Sequence, residues 1–312
     1  MNRVTLKDIA SQIGLSVNAV SRALLDKEDI SSETKNKVKR AAYELGYIKN
    51  HNASTLRSGV TLTIAVLYNS LVNPYYSVVT SNIHKVLKKD NYQLMIFQSE
   101  SDLFETDVYL DIVSRRVDGI ITFLRPSIET AIQTNNNKTP VVLVGREGED
   151  LGVDSVYTDD KKGARLVAEY MYEKGHRKVG YVGYTKDLKN DYLRSSSFKE
   201  YYQSKGIDIS DDVMFINGFG VESYYAHINK SQLTAVFCFN DMLAHQLMKE
   251  YDHKLLIIGF DNIDEHIGYE KRFMSVDSDK KLLAELAVSF LKGRIRDTNK
   301  AVESRVLEVA LA

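Results

Sequence analysis

The sequence has little that would support disulfide cross-linking or membrane insertion. Its 312 residues include one cysteine, Cys238, so no internal disulfide can form, as is usual in a reducing cytoplasm. Cys238 lies in the apolar run AVFCF, which favours a buried small side chain over a reactive thiol. No window approaches the roughly 18 apolar residues of a membrane span, and the opening MNRVTLKDIA lacks the apolar core of a signal peptide. We therefore predict a cytoplasmic protein.

Motifs typical of enzymes and cofactor sites are also lacking. The seven histidines are scattered, and no two have the i, i+4 spacing of a helical metal site. The sequence contains no glycine-rich dinucleotide fingerprint and no phosphate-binding loop. It therefore predicts no enzyme, no metal and no cofactor. A remote alternative is a doubly wound sugar-processing enzyme with a fused DNA-binding head, which turnover of a sugar would reveal.

Charge is distributed unevenly along the chain. The net charge is −1, but residues 1–60 carry ten lysines and arginines against six acidic residues, which gives +4, and the remainder carries −5. A small basic segment on an acidic body indicates that this segment meets a polyanion. The length is that of about two domains.

The first 48 residues contain three short helical patterns. Thr5 and Ser16 are placed to cap the first two helices, and Ser31 or Ser32 is placed to cap the third. Apolar residues recur at helical spacing within each pattern. Gly14 makes the turn between the first two helices, which together match the helix-turn-helix pattern.

Four side chains on the second helix are predicted to point outward: Val17, Asn18, Ser21 and Arg22. Their chemistry suits a DNA major groove, because an amide pairs with adenine and a guanidinium with guanine or phosphate. A methyl group can contact thymine, and a hydroxyl can contact phosphate. Periodicity alone leaves open the alternative of a generic three-helix bundle with a polar surface.

Residues 4–50 resemble the N-terminal domain of the lactose/galactose repressor family of bacterial transcription regulators. The resemblance is carried by VTLKDIASQIGLSVNAVSRALL, by the later SSETK and by ELGY. Ala19 departs from the family's usual threonine, and Lys49 stands where a proline normally precedes the hinge. The resemblance implies a DNA-binding domain over residues 1–48, with Thr5, Ser16 and the outward residues of the second helix among its DNA contacts.

The segment 49–60 is the predicted hinge. It is polar and too short to form a stable helix alone. In the family this hinge folds on the operator, where a leucine from each of two hinges wedges between base pairs. The resemblance implies that Leu56 is this wedge, that Ala53 allows two hinges to approach closely, and that Asn50 contacts DNA. The alternative is a leucine packed on the surface of the body.

From Thr61 onward, apolar runs alternate with helical patterns, including one near Leu103–Arg115. This alternation predicts parallel sheets covered on both faces. About eight strands fit two doubly wound α/β lobes better than one large sheet. We assign residues 61–156 and 279–300 to the first lobe, and residues 157–278 and 301–312 to the second. Ligands in such lobes bind beyond the carboxyl ends of the strands.

The resemblance continues through the body, in NPYYSVVTSNI, TAVFCFNDMLA and IIGFDN. It implies a fold like that of periplasmic sugar-binding proteins, with the effector between the lobes. Ser197 and Tyr224 stand where the family usually has glycine. By position, the implied effector contacts are Asn69, Tyr75 and Tyr76 in the first lobe and Arg194, Phe219, Asn240 and Asp261 in the second.

These side chains suit a polyol. Asp261 and Asn240 can bind vicinal hydroxyls, Arg194 offers several donors, and aromatic rings can cover a sugar face. The resemblance therefore implies a repressor whose homodimer binds a palindromic operator and is switched by a sugar-like effector in the cleft. The alternative is a regulator of the same fold that is controlled by a protein or a phosphorylated co-regulator and not by a free sugar.

Overall fold

The computed structural model describes residues 4–48, 60–185, 188–215, 228–251 and 255–312. The predicted hinge contacts Asn50, Ala53 and Leu56 and the predicted effector contact Phe219 lie outside these ranges. The chain forms two compact units, Met1–Thr61 and Leu62–Ala312, and each has its own apolar core. None of the helices in the described ranges is both long enough and apolar enough to cross a membrane.

The first unit contains the helices α1 Leu6–Ile13, α2 Val17–Leu24 and α3 Ser32–Glu44. The predicted caps are confirmed. Thr5 and Asp8 form a capping box, in which the Thr5 N–H donates to Asp8 Oδ2 at 2.8 Å. Ser16 caps α2, and the first of the two candidate serines, Ser31, caps α3. Gly14 ends α1 with a φ of 69°, a conformation that glycine adopts at little cost.

Small apolar side chains fill the core of the first unit. The buried members are Ile9, Ala10, Val20, Ala23, Val38, Ala41 and Ala42. Ala10 is 5% exposed, and its small side chain lets α1 and α2 approach closely. The core therefore fixes α2 by its inner face and leaves the opposite face to solvent.

The second unit is built of strands and helices in alternation. Its described strands are β1 Thr63–Tyr68, β2 Gln93–Gln98, β3 Leu103–Phe104, β4 Gly119–Thr122, β5 Arg125–Pro126, β6 Val141–Val144, β7 Asp154–Thr158, β8 Val179–Val182, β9 Met214–Phe215, β10 Ala235–Cys238, β11 Leu256–Phe260, β12 Met274–Ser278, β13 Ser304–Leu307 and β14 Val309–Leu311. Its principal described helices are α4 Pro74–Lys88, α5 Thr106–Ser114, α6 Ile128–Asn136, α7 Asp160–Glu173, α8 Lys189–Ser204, α9 Asp241–Tyr251, α10 Ile263–Ile267 and α11 Lys280–Arg296.

Two six-stranded sheets form the two lobes, which confirms the predicted doubly wound α/β fold. The first sheet has the order β13-β7-β6-β4-β1-β2 and the second has the order β14-β12-β11-β10-β8-β9. Every pairing in them is parallel except that of β12 with β14. Successive residues of β1 enter cores on opposite faces of the first sheet, since Ile64 and Val66 join one core and Ala65 and Leu67 the other.

In the described part of the chain, three short segments connect the lobes: Thr158–Asp160 after β7, Ser278–Lys280 after β12 and Leu307–Val309 after β13. They lie side by side, because β13 pairs with β7 in the first sheet and β14 pairs with β12 in the second. This arrangement joins the lobes along one edge and leaves a cleft between them.

Two predictions about the body are wrong. The sequence predicts residues 301–312 in the second lobe, but β13 pairs with β7 at the edge of the first sheet, and only β14 belongs to the second. The helical pattern near Leu103–Arg115 begins later than predicted, because Leu103 and Phe104 form a strand that pairs with β5 and α5 starts at Thr106. Cys238 is buried in β10, as predicted.

Candidate functional site

The outer face of α2 is the candidate DNA-reading surface of the first unit. Val17, Asn18 and Arg22 are exposed, and Ser21 is half-buried. Arg22 forms an ion pair with Asp29, which follows α2 in the chain. A DNA phosphate that binds Arg22 therefore has to displace a carboxylate that is already in place.

The other two predicted DNA contacts of this unit are engaged in helix capping. Thr5 Oγ1 donates to Asp8 Oδ2 at 2.7 Å, so its hydroxyl hydrogen is committed within the cap. Ser16 Oγ accepts from the Ala19 N–H at 3.1 Å, and this bond does not use the serine hydroxyl hydrogen. Ser16 can therefore cap α2 and donate to a phosphate at the same time.

A cleft with an open volume of about 570 Å³ lies between the two lobes of the second unit. Five of the predicted effector contacts line it: Tyr75, Tyr76, Arg194, Asn240 and Asp261. The elements that carry them begin or end at this cleft, as expected for ligand sites beyond the carboxyl ends of parallel strands.

Asn69 is not among the lining residues. It accepts at Oδ1 from the Tyr76 hydroxyl at 3.0 Å, and its Nδ2 donates to Asp102 at 2.6 Å. This chain of hydrogen bonds orients Tyr76, whose ring lies edge-on to Phe123 at a centroid distance of 5.1 Å. Asn69 thus supports an aromatic wall of the cleft and does not face the cleft itself.

Arg194 is held in place by a buried counterion. Its Nε donates to Asp160 Oδ1 at 2.7 Å, its Nη2 lies 2.7 Å from the same oxygen, and its Nη1 donates to the Phe239 carbonyl oxygen at 2.5 Å. The guanidinium carbon lies 3.4 Å from the centre of the Phe260 ring. Arginine has five N–H donors, so about two remain for a ligand. Arg194 therefore offers a ligand fewer donors than its residue type suggests.

Asn190 and Lys189 join the lobes across the cleft. Asn190 Nδ2 donates to the Gly145 carbonyl oxygen at 2.8 Å and to Asp160 Oδ2 at 2.7 Å. Lys189 Nζ donates to Glu147 Oε2 at 2.5 Å. Because Gly145 and Glu147 follow β6 in the first lobe and α8 belongs to the second, these bonds hold the lobes together beside the ligand space.

Asn240 and Asp261 present polar groups from the second lobe. Asn240 Oδ1 accepts from the Leu243 N–H at 3.0 Å and caps α9, while its Nδ2 donates to none of the described residues. Asp261 follows β11 with a φ of 104°, which is strained for a residue other than glycine. Its carboxylate accepts no side-chain hydrogen bond from the described residues, so it can receive hydroxyl groups of a ligand.

Burial raises the pKa of Asp261 to about 6, although Arg194 and Lys280 act in the opposite direction. Burial likewise raises the pKa of its neighbour Asp241 to about 7, and the charge of Asp261 adds to this effect. The Asp241 carboxylate accepts from Ser275 Oγ and the Ile263 N–H, each at 2.6 Å. Asp261 therefore changes its charge just below neutral pH.

We expect effector affinity to fall as the pH drops through about 6, because protonated Asp261 has fewer acceptors for ligand hydroxyls. Calorimetric titration between pH 5 and 8 measures this dependence.

The stability of the fold has the opposite pH dependence. A raised carboxyl pKa stabilises the native state below the unfolded pKa of about 3.9, and this contribution is lost as the pH rises through about 6. Asp261→Asn should therefore bind effector weakly and unfold at a higher temperature than the natural chain at pH 7. If effector affinity in Asp261→Asn depended on pH as it does in the natural chain, the titrating group would be Asp241 and not Asp261.

Sequence reasoning missed three residues of this site. Asp160 and Asn190 carry no motif that marks them as partners of Arg194. Arg146 could have been found, because it follows β6 at the carboxyl edge of the first sheet, where ligand-binding loops are expected.

The fold and the cleft define a class: a helix-turn-helix head followed by a two-lobed body of the periplasmic-binding type. The family described as bacterial regulatory proteins, lacI family, matches residues 5–50. The one described as periplasmic binding proteins and sugar binding domain of LacI family matches residues 61–218, and the periplasmic binding protein-like domain matches residues 168–312. The chain belongs to the LacI family and is a DNA-binding transcription regulator, as the sequence resemblance predicted.

Similar proteins extend over nearly the whole chain. The HTH-type transcriptional repressor PurR of Photobacterium profundum is 24% identical over 320 residues, which cover 98% of this chain and 95% of that protein. The lac repressor dimer bound to operator and the anti-inducer ONPF has a TM-score of 0.81 at 20% identity and covers 100% and 98% of the two chains. A LacI family regulator from Enterococcus faecium with bound ribose has a TM-score of 0.69 at 23% identity, with coverage of 80% and 96%. The two structures support the fold described above.

Proposed function

We propose that the chain is a repressor whose homodimer binds a palindromic operator and is switched by a sugar-like effector in the interlobe cleft. The observation that carries the effector assignment is the convergence of Arg194, Asn240 and Asp261 on one cleft with an aromatic wall. The similar PurR protein is named a repressor, and a similar structure holds ribose. The protein is proposed to act in the cytoplasm, in association with the nucleoid.

Each proposed effector contact recognises a different part of a polyol. Asp261 accepts hydroxyl hydrogens, Asn240 donates through Nδ2, and Arg194 donates through the N–H groups that Asp160 and Phe239 leave free. The ring of Tyr76 covers the apolar face of the sugar. Asn69 acts through Tyr76, and Phe219 remains a predicted contact of the second lobe.

The proposed DNA contacts come from α2 and from the hinge. Asn18 and Arg22 read base edges or phosphates in the major groove, and Val17 offers a methyl contact. Leu56 wedges into the minor groove when two hinges meet on the operator. Two copies are needed because one helix-turn-helix reads only a few base pairs and such heads pair on two-fold symmetric sites.

Effector binding is proposed to act on the angle between the lobes, and through it on the spacing of the two heads of the dimer. Lys280 supports this link between the crossings and the cleft. It is buried at the second crossing and donates to Asp277 Oδ1 at 2.7 Å, and its positive charge favours the ionised form of Asp261 in the cleft. By linkage, an effector that weakens operator binding must itself bind more weakly to the DNA complex.

Operator affinity is expected to fall on the order of a thousandfold between 50 and 200 mM salt, because several lysines and arginines release counterions on binding phosphates. Fluorescence anisotropy with a duplex selected by the protein from a random pool measures this slope. The same assay with and without ribose or another polyol tests the switch. Affinity that does not respond to salt would contradict the DNA assignment, and a bound polyol that leaves operator affinity unchanged would contradict the effector assignment.

A further inference from the structure

Arg146 is a cation of the cleft that forms no ion pair with any of the described residues. It follows β6, lines the cleft from the first lobe and is half-buried. Within the described ranges its guanidinium forms no ion pair and donates no hydrogen bond. Among these residues the one fully enclosed side-chain polar atom without a partner is Thr80 Oγ1, so the Arg146 nitrogen atoms are reachable from the cleft.

The neighbouring cations differ from Arg146 in this respect. Arg194 pairs with Asp160, Lys189 pairs with Glu147, and Arg125 pairs with Asp150. Burial lowers the pKa of Arg146, although the Tyr76 hydroxyl and the carboxylates of Asp102 and Asp160 act in the opposite direction. A half-buried charge that forms no direct ion pair costs stability, and a ligand that supplies a directly bound anion offsets this cost.

The charged side chains of the cleft that form no ion pair among the described residues differ between the two lobes. Arg146 and the amino end of α4, capped by Asn73, lie on the side of the first lobe, where the helix end adds partial positive charge. The Asp261 carboxylate, which accepts no side-chain hydrogen bond from the described residues, lies on the side of the second lobe. A ligand with an anionic group at one end and hydroxyl groups at the other matches both sides.

We propose that the effector is an anionic polyol, a sugar phosphate or a sugar acid, whose anionic group is bound by Arg146 while its hydroxyl groups face Asn240 and Asp261. This inference rests on the proposed effector role of the cleft and narrows the class of ligand. Arginine suits the task because its planar fork binds carboxylate and phosphate oxygens in pairs.

Isothermal titration of the full chain with matched pairs tests this assignment: ribose with ribose 5-phosphate, and glucose with glucose 6-phosphate and gluconate. The anionic member of at least one pair is expected to bind about tenfold to a hundredfold more tightly than its neutral parent, as expected for a charge-assisted hydrogen-bonded pair. Arg146→Gln should abolish this preference. The control Arg305→Gln, which removes an exposed arginine of the same lobe, should keep it.

Thermal unfolding supplies a second measurement. Because Arg146 forms no ion pair and donates no hydrogen bond among the described residues, Arg146→Gln should melt at or above the temperature of the natural chain, whereas loss of an ion-paired structural arginine would lower the melting temperature. Neutral sugars that bind as tightly as their anionic counterparts, or a preference that survives in Arg146→Gln, would overturn the assignment and leave the proposed function standing. If no polyol of either kind binds, the proposed effector role fails and the assignment fails with it.

Discussion

Replacing Arg194 by alanine is expected to lower the free energy of unfolding by about 3–5 kcal/mol and to abolish effector binding. The side chains of Arg194 and Asp160 are 6% and 5% exposed, so the substitution leaves a carboxylate buried without its cation. Asn190 would be its remaining side-chain donor among the described residues. For a body of this size the loss corresponds to a decrease in melting temperature of roughly 6 to 20 °C.

Chemical denaturation of the full chain measures this loss, and Arg115→Ala is the matched control. Arg115 pairs with Asp111 at 3.0 Å, but the two side chains are 50% and 52% exposed. An exposed ion pair contributes about 0–1 kcal/mol, so the control should be nearly neutral. If Arg194→Ala lowered the free energy of unfolding no more than Arg115→Ala does, Arg194 would not be needed to stabilise the buried Asp160 carboxylate. The double substitution Asp160→Asn/Arg194→Met should recover much of the stability without recovering effector binding.

Replacing Asn18 and Arg22 together by alanine is expected to weaken specific operator binding by about a hundredfold or more, since each good base contact contributes about 1–3 kcal/mol. Neither side chain belongs to the core of the first unit, so the fold should be retained. Anisotropy titrations with the selected operator and with a scrambled duplex measure affinity and specificity together.

The third helix of the head provides a control of equal composition. Asn36 and Arg40 have the same spacing in α3 as Asn18 and Arg22 have in α2, and both are exposed. Asn36→Ala/Arg40→Ala removes the same amide and the same positive charge and also frees Glu44 from its pair with Arg40. If this variant lost as much specific binding as the α2 variant, the recognition role of α2 would be wrong.

The sequence predicted features that depend on local chemistry. Thr5, Ser16 and Gly14 mark the ends of α1 and α2 because capping and turning require these residue types within a few positions. The alternation of apolar runs and helices predicted two doubly wound lobes because parallel strands are buried on both faces. Loops that follow strands, together with the family resemblance, led to Tyr75, Asn240 and Asp261, all of which line the cleft.

Features that depend on distant partners could not be predicted. Arg194 and Asp160 are 34 positions apart, so nothing local shows that the cation is already paired. Lys280 looks like an exposed residue in the first turn of α11, yet tertiary packing leaves it 1% exposed. The strand β13 has exposed side chains at three of its four positions, and such a pattern does not reveal which sheet it joins.

The side-by-side crossings also limit how the body can move. The third crossing lies next to the first at the edge of one sheet and next to the second at the edge of the other. Independent swivelling of any one connection would break strand pairing with its neighbour, so the three have to turn together. The three crossings therefore form one connected hinge, and any change in the angle between the lobes involves all of them.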